Sequence, residues 1–325
     1  MTQGVLRAGQ RLPAGAVEGW WQATDGHQIR RMDVPAGGDG VLAARGRLLF
    51  LPGRGDTYEK YVESLSRWQA EGWAITALDW RGQGGSGRLG DDSTTGHITD
   101  FAIWVRDLAD FYGQWAGQAA GPVALIGHSM GGHLALRAVA EGAVRPDALV
   151  LSAPMLGFYA PGVPWVAQYG LARLAEAVLG PTRAAWSGSE KPFSSASSRR
   201  HLLTHDADRY ADEAWWIAQR PQLRMGGASW HWMAQALLSM RGLMAAGVME
   251  RVDLPVLLLS APRDRLVSHR AIVQAATRLP QGELALARAD AAHEFLREVD
   301  AIRDPVMTCI SSFLDRFTVP AAAMG

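Results

Sequence analysis

The sequence predicts an α/β fold: a mostly parallel central sheet with helices on both faces, interrupted late in the chain by a helical insertion. Three observations carry this reading. Short runs at residues 46–51, 123–127, 147–153 and 254–261 are apolar almost throughout, as strands buried on both faces are. Longer segments with apolar residues every three or four positions alternate with them. The alternation stops near residue 154 and resumes near residue 254.

The elements follow in order. Residues 16–23 and 28–34 read as two early strands around the Thr24-Asp25-Gly26 turn. The run 46–51 stops at Pro52-Gly53, and 57–71 shows helical spacing through Tyr61, Leu65 and Trp68. A strand at 73–79, a helix at 97–114, a strand at 123–127, a helix at 130–141 and a strand at 147–153 come next. After the interruption, strands at 254–261 and 283–287 alternate with helices at 268–279 and 299–317. A crossover needs only a dozen or so residues, so most of 155–249 is surplus to the sheet. It carries Trp165, Trp186, Trp215, Trp216, Trp230 and Trp232 among several methionines. The expected division is a core of residues 1–154 and 250–325, with a helical cap at 155–249.

Composition narrows the function classes. Of 325 residues, 48% are hydrophobic and 20% charged, with 32 basic against 32 acidic side chains. That balance belongs to a folded chain. It excludes the basic footprint of a dedicated nucleic-acid binder and a polybasic membrane anchor. Cys309 is the single cysteine, which excludes an intramolecular disulfide and a multi-cysteine zinc site. No run approaches the ~20 apolar residues of a membrane span, and residues 1–18 lack a signal-peptide core. A cytoplasmic protein is expected, with peripheral membrane contact left open.

The sharpest chemical signal is Gly127-His128-Ser129-Met130-Gly131-Gly132. Here G-x-S-x-G directly follows a buried strand and directly precedes a helix, the context of a nucleophile elbow. Such a turn holds its serine in strained geometry and aims a helix N-terminus at the oxygen. A serine alone is a poor nucleophile, so an acid and then a histidine should follow. Asp264 lies just past the strand 254–261, where ligand sites gather in parallel sheets. His293 comes 29 residues later, beyond one more helix and strand. Among rivals, His128 is expected to turn away from Ser129 as a satisfied buried histidine. His133 belongs to the elbow helix, His269 reads as a helix cap, and Asp290 is too near His293.

These residues resemble the α/β-hydrolases of the monoglyceride-lipase and lysophospholipase L2 type. The likeness runs from about Trp20 to Phe317, the insertion matching in placement only. It includes Asp79-Trp80-Arg81-Gly82-Gln83-Gly84-Gly85-Ser86, where the group has D-x-R-G-x-G-x-S. It also includes Pro52-Gly53-Arg54-Gly55-Asp56 and Tyr58-Glu59-Lys60-Tyr61. The resemblance implies an oxyanion hole from the backbone N–H groups of Arg54 and Met130. The group usually has His-Gly where this chain has Pro52-Gly53.

The expected reaction is ester hydrolysis through an acyl-enzyme on Ser129, with His293 as base and Asp264 orienting it, and with no metal or organic cofactor. The substrate would be a small-molecule or lipid-like ester, most naturally a lysophospholipid or a monoacylglycerol. Trp230, Trp232 and Met233, followed by Leu237, Leu238, Met240 and Met244, could line an acyl tunnel or touch a lipid surface; packing within the cap is the plainer role for most of them. A carboxylesterase, a lactonase or an aminopeptidase on the same scaffold stays open. For the last, Glu176, Glu190, Asp212 and Glu213 could receive a substrate amine. A non-catalytic binding protein is the third reading, which an intact Ser129, Asp264 and His293 set weighs against. Acyl length, head group and oligomeric state are not encoded legibly.

Overall fold

The computed structural model of the protein describes residues 6–37, 44–118, 121–186 and 196–318. One sheet of eight strands forms the centre: β1 (Val17–Gln22), β2 (Gln28–Val34), β3 (Gly46–Leu51), β4 (Trp73–Leu78), β5 (Val123–His128), β6 (Ala148–Ser152), β7 (Val256–Ser260) and β8 (Gly282–Leu286). Their spatial order is β1-β2-β4-β3-β5-β6-β7-β8. The β1–β2 and β2–β4 pairs are antiparallel and all the others parallel. β3, β5, β6 and β7 consist almost wholly of buried residues, as strands covered on both faces must.

Helices α1 (Val62–Ala70), α2 (Phe101–Trp115), α3 (Met130–Ala140), α8 (His269–Arg278) and α9 (Asp300–Thr318) pack around the sheet. Among the described residues four more lie between β6 and β7: α4 (Trp165–Leu179), α5 (Ala196–Leu203), α6 (Ala207–Gln219) and α7 (Trp230–Leu243). The expected strands all form, within about two residues at each end.

Three local differences have physical causes. The segment 57–71 begins as a 3-10 turn at Tyr58–Tyr61 before α1. α2 starts at Phe101, not near 97, because the Asp100 carboxylate caps it by accepting from the Ala102 N–H at 2.8 Å. His97 instead meets the Ser229 hydroxyl at 2.8 Å. At α8 the cap is Ser268, accepting from Ala271 N–H at 3.2 Å, while His269 contacts the Ser260 hydroxyl at 2.8 Å. The cysteine, Cys309, is half-buried against the core on α9. Among the described residues no helix is long and apolar enough to cross a membrane.

Candidate active site

Ser129 sits between β5 and α3 with φ 51° and ψ −115°, a backbone region that L-residues avoid. The turn closes because its neighbours lack side chains. A Cβ on Gly127 would lie 2.7 Å from the Gly131 carbonyl oxygen, and one on Gly131 would overlap the carbonyls of Leu51 and Pro52. The strain is held from three sides. Ser129 N–H donates to Ser152 O at 2.9 Å, and its carbonyl accepts from His133 and Met155 N–H at 3.0 Å each. The second non-glycine residue with positive φ among the described residues, Ala153 at 46°, lies in this brace.

His293 Nε2 lies 2.9 Å from Ser129 Oγ, and His293 Nδ1 lies 2.7 Å from Asp264 Oδ2. The other Asp264 oxygen accepts from Leu266 N–H at 2.7 Å and Val267 N–H at 3.1 Å. Burial opposes ionisation of Asp264, but the facing imidazole and these two donors outweigh it and hold its carboxyl below the ordinary value. Both loops are steadied by the segment between β6 and β7. Tyr159 N–H donates to Leu266 O, and Ser268 N–H to Gly157 O. From the other side, His293 and Glu294 N–H donate to Leu202 and Leu203 O at the end of α5, at 3.1 and 2.8 Å.

The loop after β3 is held just as closely. Gly53 N–H donates to Asp56 Oδ2 at 3.1 Å and Gly55 N–H to Gln83 Oε1 at 2.7 Å. Arg54 therefore sits between two anchored peptides. Its guanidinium reaches the Gly226 carbonyl at 3.1 Å and lies over the rings of Trp186 and Trp232. Met130 begins α3, so intrahelical bonding leaves its N–H over; its sulfur meets Gln83 Nε2 at 3.6 Å.

A cavity of about 340 Å³ opens above Ser129 and His293, within the usual size of a small-molecule site. Its walls are apolar and come mostly from the β6–β7 segment: Phe158, Leu171, Trp186, Trp230, Trp232 and Met233 among them. Leu237 also reaches it, whereas Met240 and Met244 face a separate groove with Trp165, and Leu238 is exposed elsewhere. Four of the seven side chains of the expected stripe thus line the cavity and three do not.

Residues 43–300 match the model of the hydrolase family described as serine aminopeptidase, S33. The chain belongs to this family. It is a member with the α/β-hydrolase fold and, from the chemistry its relatives share, a serine ester hydrolase. It is 30% identical over 294 residues to lysophospholipase L2 of Escherichia coli, covering 84% of this chain and 82% of that one. A probable lysophospholipase L2 of Haemophilus influenzae is 23% identical over 279 residues, covering 84% and 85%. Among solved structures, a soluble variant of yeast (Saccharomyces cerevisiae) monoglyceride lipase superposes with a TM-score of 0.73 at 18% identity, over 98% of this chain and all of that one. A monoacylglycerol lipase from Paleococcus ferrophilus gives 0.68 at 18% identity, over 89% and 99%. At such identities the structures speak for the fold alone.

For this hydrolase, Ser129, Asp264 and His293 come together as one hydrogen-bonded set, and Trp230, Trp232 and Met233 line the same cavity. His128 departs from expectation. Its ring is 4.9 Å from that of His293 and its Nε2 is 4.0 Å from Asp56, yet its buried Nδ1 has no hydrogen-bond partner. Burial, with His293 adding to it, pushes the His128 pKa down to about 4, so it stays neutral beside the site. Asp290 is exposed and paired with Arg288 at 2.7 Å, away from His293. Residue spacing carried no sign that Asp56, Lys60, Glu294 and Arg297 form one buried charged group, two of whose acids, Asp56 and Glu294, line the cavity. Asp56 and Lys60 had entered only as members of motifs.

Proposed function

We propose that this serine ester hydrolase is a lysophospholipase or monoacylglycerol lipase working through Ser129, His293 and Asp264. The observation that carries the reading is a strained serine, hydrogen-bonded to a histidine, at the floor of an apolar cavity. Ser129 Oγ attacks the ester carbonyl as His293 Nε2 takes its proton, and Asp264 holds the imidazole tautomer and stabilises the imidazolium. The Arg54 and Met130 N–H groups receive the oxyanion. His293 then protonates the leaving alcohol and activates the water that releases the fatty acid. The helices α4–α7, within residues 155–249, act as a cap whose aromatic and methionine side chains take the acyl chain.

An aminopeptidase would need an acid placed for the substrate amine. Glu176 pairs with His231 and Arg173, Asp212 with Arg7, and Glu213 with Arg199; none of the three lines the cavity. Glu190 lies outside the described residues. The cavity's own acids, Asp56 and Glu294, are neutralised by Lys60 and Arg297. This favours an uncharged acyl group.

The same cavity suggests where substrate is collected. α4 leaves Val166, Leu174 and Val178 at 69%, 63% and 71% exposure, while Val163 and Leu171 beside them reach the cavity mouth. A lipid surface would bury this face in transient, peripheral contact.

The deciding experiment compares lysophosphatidylcholine and a monoacylglycerol with the same acyl chain, with Ser129→Ala as control. Turnover of either that vanishes in the variant supports the mechanism, and the kcat/KM ratio assigns the head group. Cleavage of short esters alone discards the lipid reading. Retained turnover by Ser129→Ala discards the triad.

A further inference from the structure

The loop bearing Arg54 leaves β3, and the loop bearing His293 follows β8. In the sheet these strands are separated by β5, β6 and β7, so no direct strand pairing joins the two loops. Catalysis of the proposed kind needs that distance held closely, because a misplacement of ~1 Å costs on the order of 100-fold.

A buried chain of charges spans the gap. Asp56 Oδ2 accepts from Gly53 N–H at 3.1 Å and from the Tyr61 hydroxyl at 2.7 Å. Its other oxygen is ion-paired with Lys60. Lys60 Nζ then lies 2.7 Å from Glu294 Oε1 and 3.5 Å from Glu213 on α6, and the far oxygen of Glu294 pairs with Arg297. Gly53 directly precedes Arg54, and Glu294 directly follows His293. The path therefore runs from the oxyanion loop to the base loop through three buried side chains. Gly53 has no room for a side chain in this arrangement: a Cβ there would lie 2.7 Å from Asp56 Oδ2 and 3.2 Å from the Ser129 Cβ.

Buried ion pairs add little net stability over apolar residues of the same volume, since desolvation offsets their attraction. What this one supplies is geometry: a directional link between two loops that the sheet joins only through three intervening strands. We propose that Asp56, Lys60 and Glu294 are positioning residues, a clamp that fixes the oxyanion-donor loop against the histidine loop. The inference rests on the Ser129–His293–Asp264 reading.

The test uses the isosteric variants Asp56→Asn and Glu294→Gln in the full chain, with active sites counted by a fluorophosphonate so that rates refer to folded enzyme. The clamp predicts that kcat per labelled site falls about 10- to 100-fold while KM stays within about threefold, because the oxyanion exists only after attack. Affinity for an alkyl trifluoromethyl ketone, which forms a tetrahedral adduct on the serine, falls by the same factor. Affinity for a non-hydrolysable ether lysolipid stays at the wild-type value. A purely structural role would lower the number of labelled sites without changing kcat per site, and that result overturns the clamp. So does an equal loss of affinity for both analogues. Should the neutral variants fail to fold, Lys60→Arg keeps both ion pairs but alters their reach; wild-type kcat per site there also overturns it. Ser129→Ala separates the two layers. If it retains turnover, the reading beneath the clamp fails. If it is inactive while Asp56→Asn runs at the wild-type rate, the clamp alone fails.

Discussion

The two sides of the segment between β6 and β7 are attached to the core by different physics. α6 is bolted down by charge. Arg209 donates to Glu63 at 2.9 Å, to Asp300 at 2.7 Å and to the Glu298 carbonyl at 2.6 Å. Arg220 reaches Glu18 and Glu59 at 2.6 and 2.9 Å, and Trp216 Nε1 donates to Gly9 O at 2.7 Å. α4 rests instead on α7 of the same segment, through a Trp165–Leu237 hydrogen bond of 3.1 Å, the Arg241 cation over Trp165, and Glu176 against His231. Its outer face is bare Val and Leu. The difference teaches a division of labour: the α5–α6 side braces the histidine loop through Leu202 and Leu203, whereas the α4 side forms an apolar lip over the cavity.

The largest effect is expected where a bolt is removed. Arg209→Ala strands Glu63 and the Glu298 carbonyl and should destabilise the protein by about 2–4 kcal/mol, the scale of breaking a largely buried charged contact. Denaturant unfolding measures it. Because the α5 end holds His293 N–H, turnover should fall with it at temperatures where the variant is still folded. A loss under 0.5 kcal/mol would show that the α6 side is not anchored by charge after all.

Much of this was legible in the sequence, and the legible parts share a cause. Strands β3, β5, β6 and β7 are apolar almost throughout, so their signal is local. Ser129 announces itself through glycines that only a tight strand-to-helix turn requires. Asp264 and His293, the proposed acid and base, follow because chain order and strand ends constrain where such residues can stand. The charge clamp was illegible for the opposite reason: Lys60 and Glu294 are 234 residues apart, and nothing near either one signals the other. Asp56 entered only as the last residue of the Pro52–Asp56 motif. His128 was misjudged because a histidine beside a nucleophile is ordinarily satisfied, and its Nδ1 is not.

A middle-sized effect comes from pH, and it falls on the core beneath α7 rather than on α4. His133 is buried on α3, with Nε2 2.7 Å from the Ser239 hydroxyl of α7. Burial, with the Arg137 guanidinium adding to it, pushes its pKa down to about 3, and that of His128 to about 4. In the unfolded chain both take up a proton near pH 6.5. Between that pH and about 4 the unfolded state binds more protons than the folded one, so stability must fall as the pH is lowered. The slope is on the order of 1 kcal/mol per pH unit for each histidine. Urea unfolding at pH 7, 6 and 5 reads it, and His133→Gln should remove one histidine's share of the slope. An unchanged slope in that variant would mean that His133 is charged in the fold.

The smallest effect on stability, and the most specific on function, belongs to the exposed face of α4. Leu174→Glu with Val178→Glu replaces two side chains that are mostly in water and touch no anchor, so unfolding free energy should move by less than about 0.5 kcal/mol. Hydrolysis of a soluble short-chain ester should match the wild type, since neither residue reaches the cavity. Turnover of a long-chain monoacylglycerol presented in anionic vesicles should fall about tenfold, because the added carboxylates oppose docking of the face against that surface. The matching substitution on the bolted side, Ala211→Glu on the exposed face of α6, should leave the vesicle rate alone. Equal rates on vesicles for wild type and the α4 variant would remove the lipid-docking role from α4 and leave its apolar face as the outer wall of the cavity only.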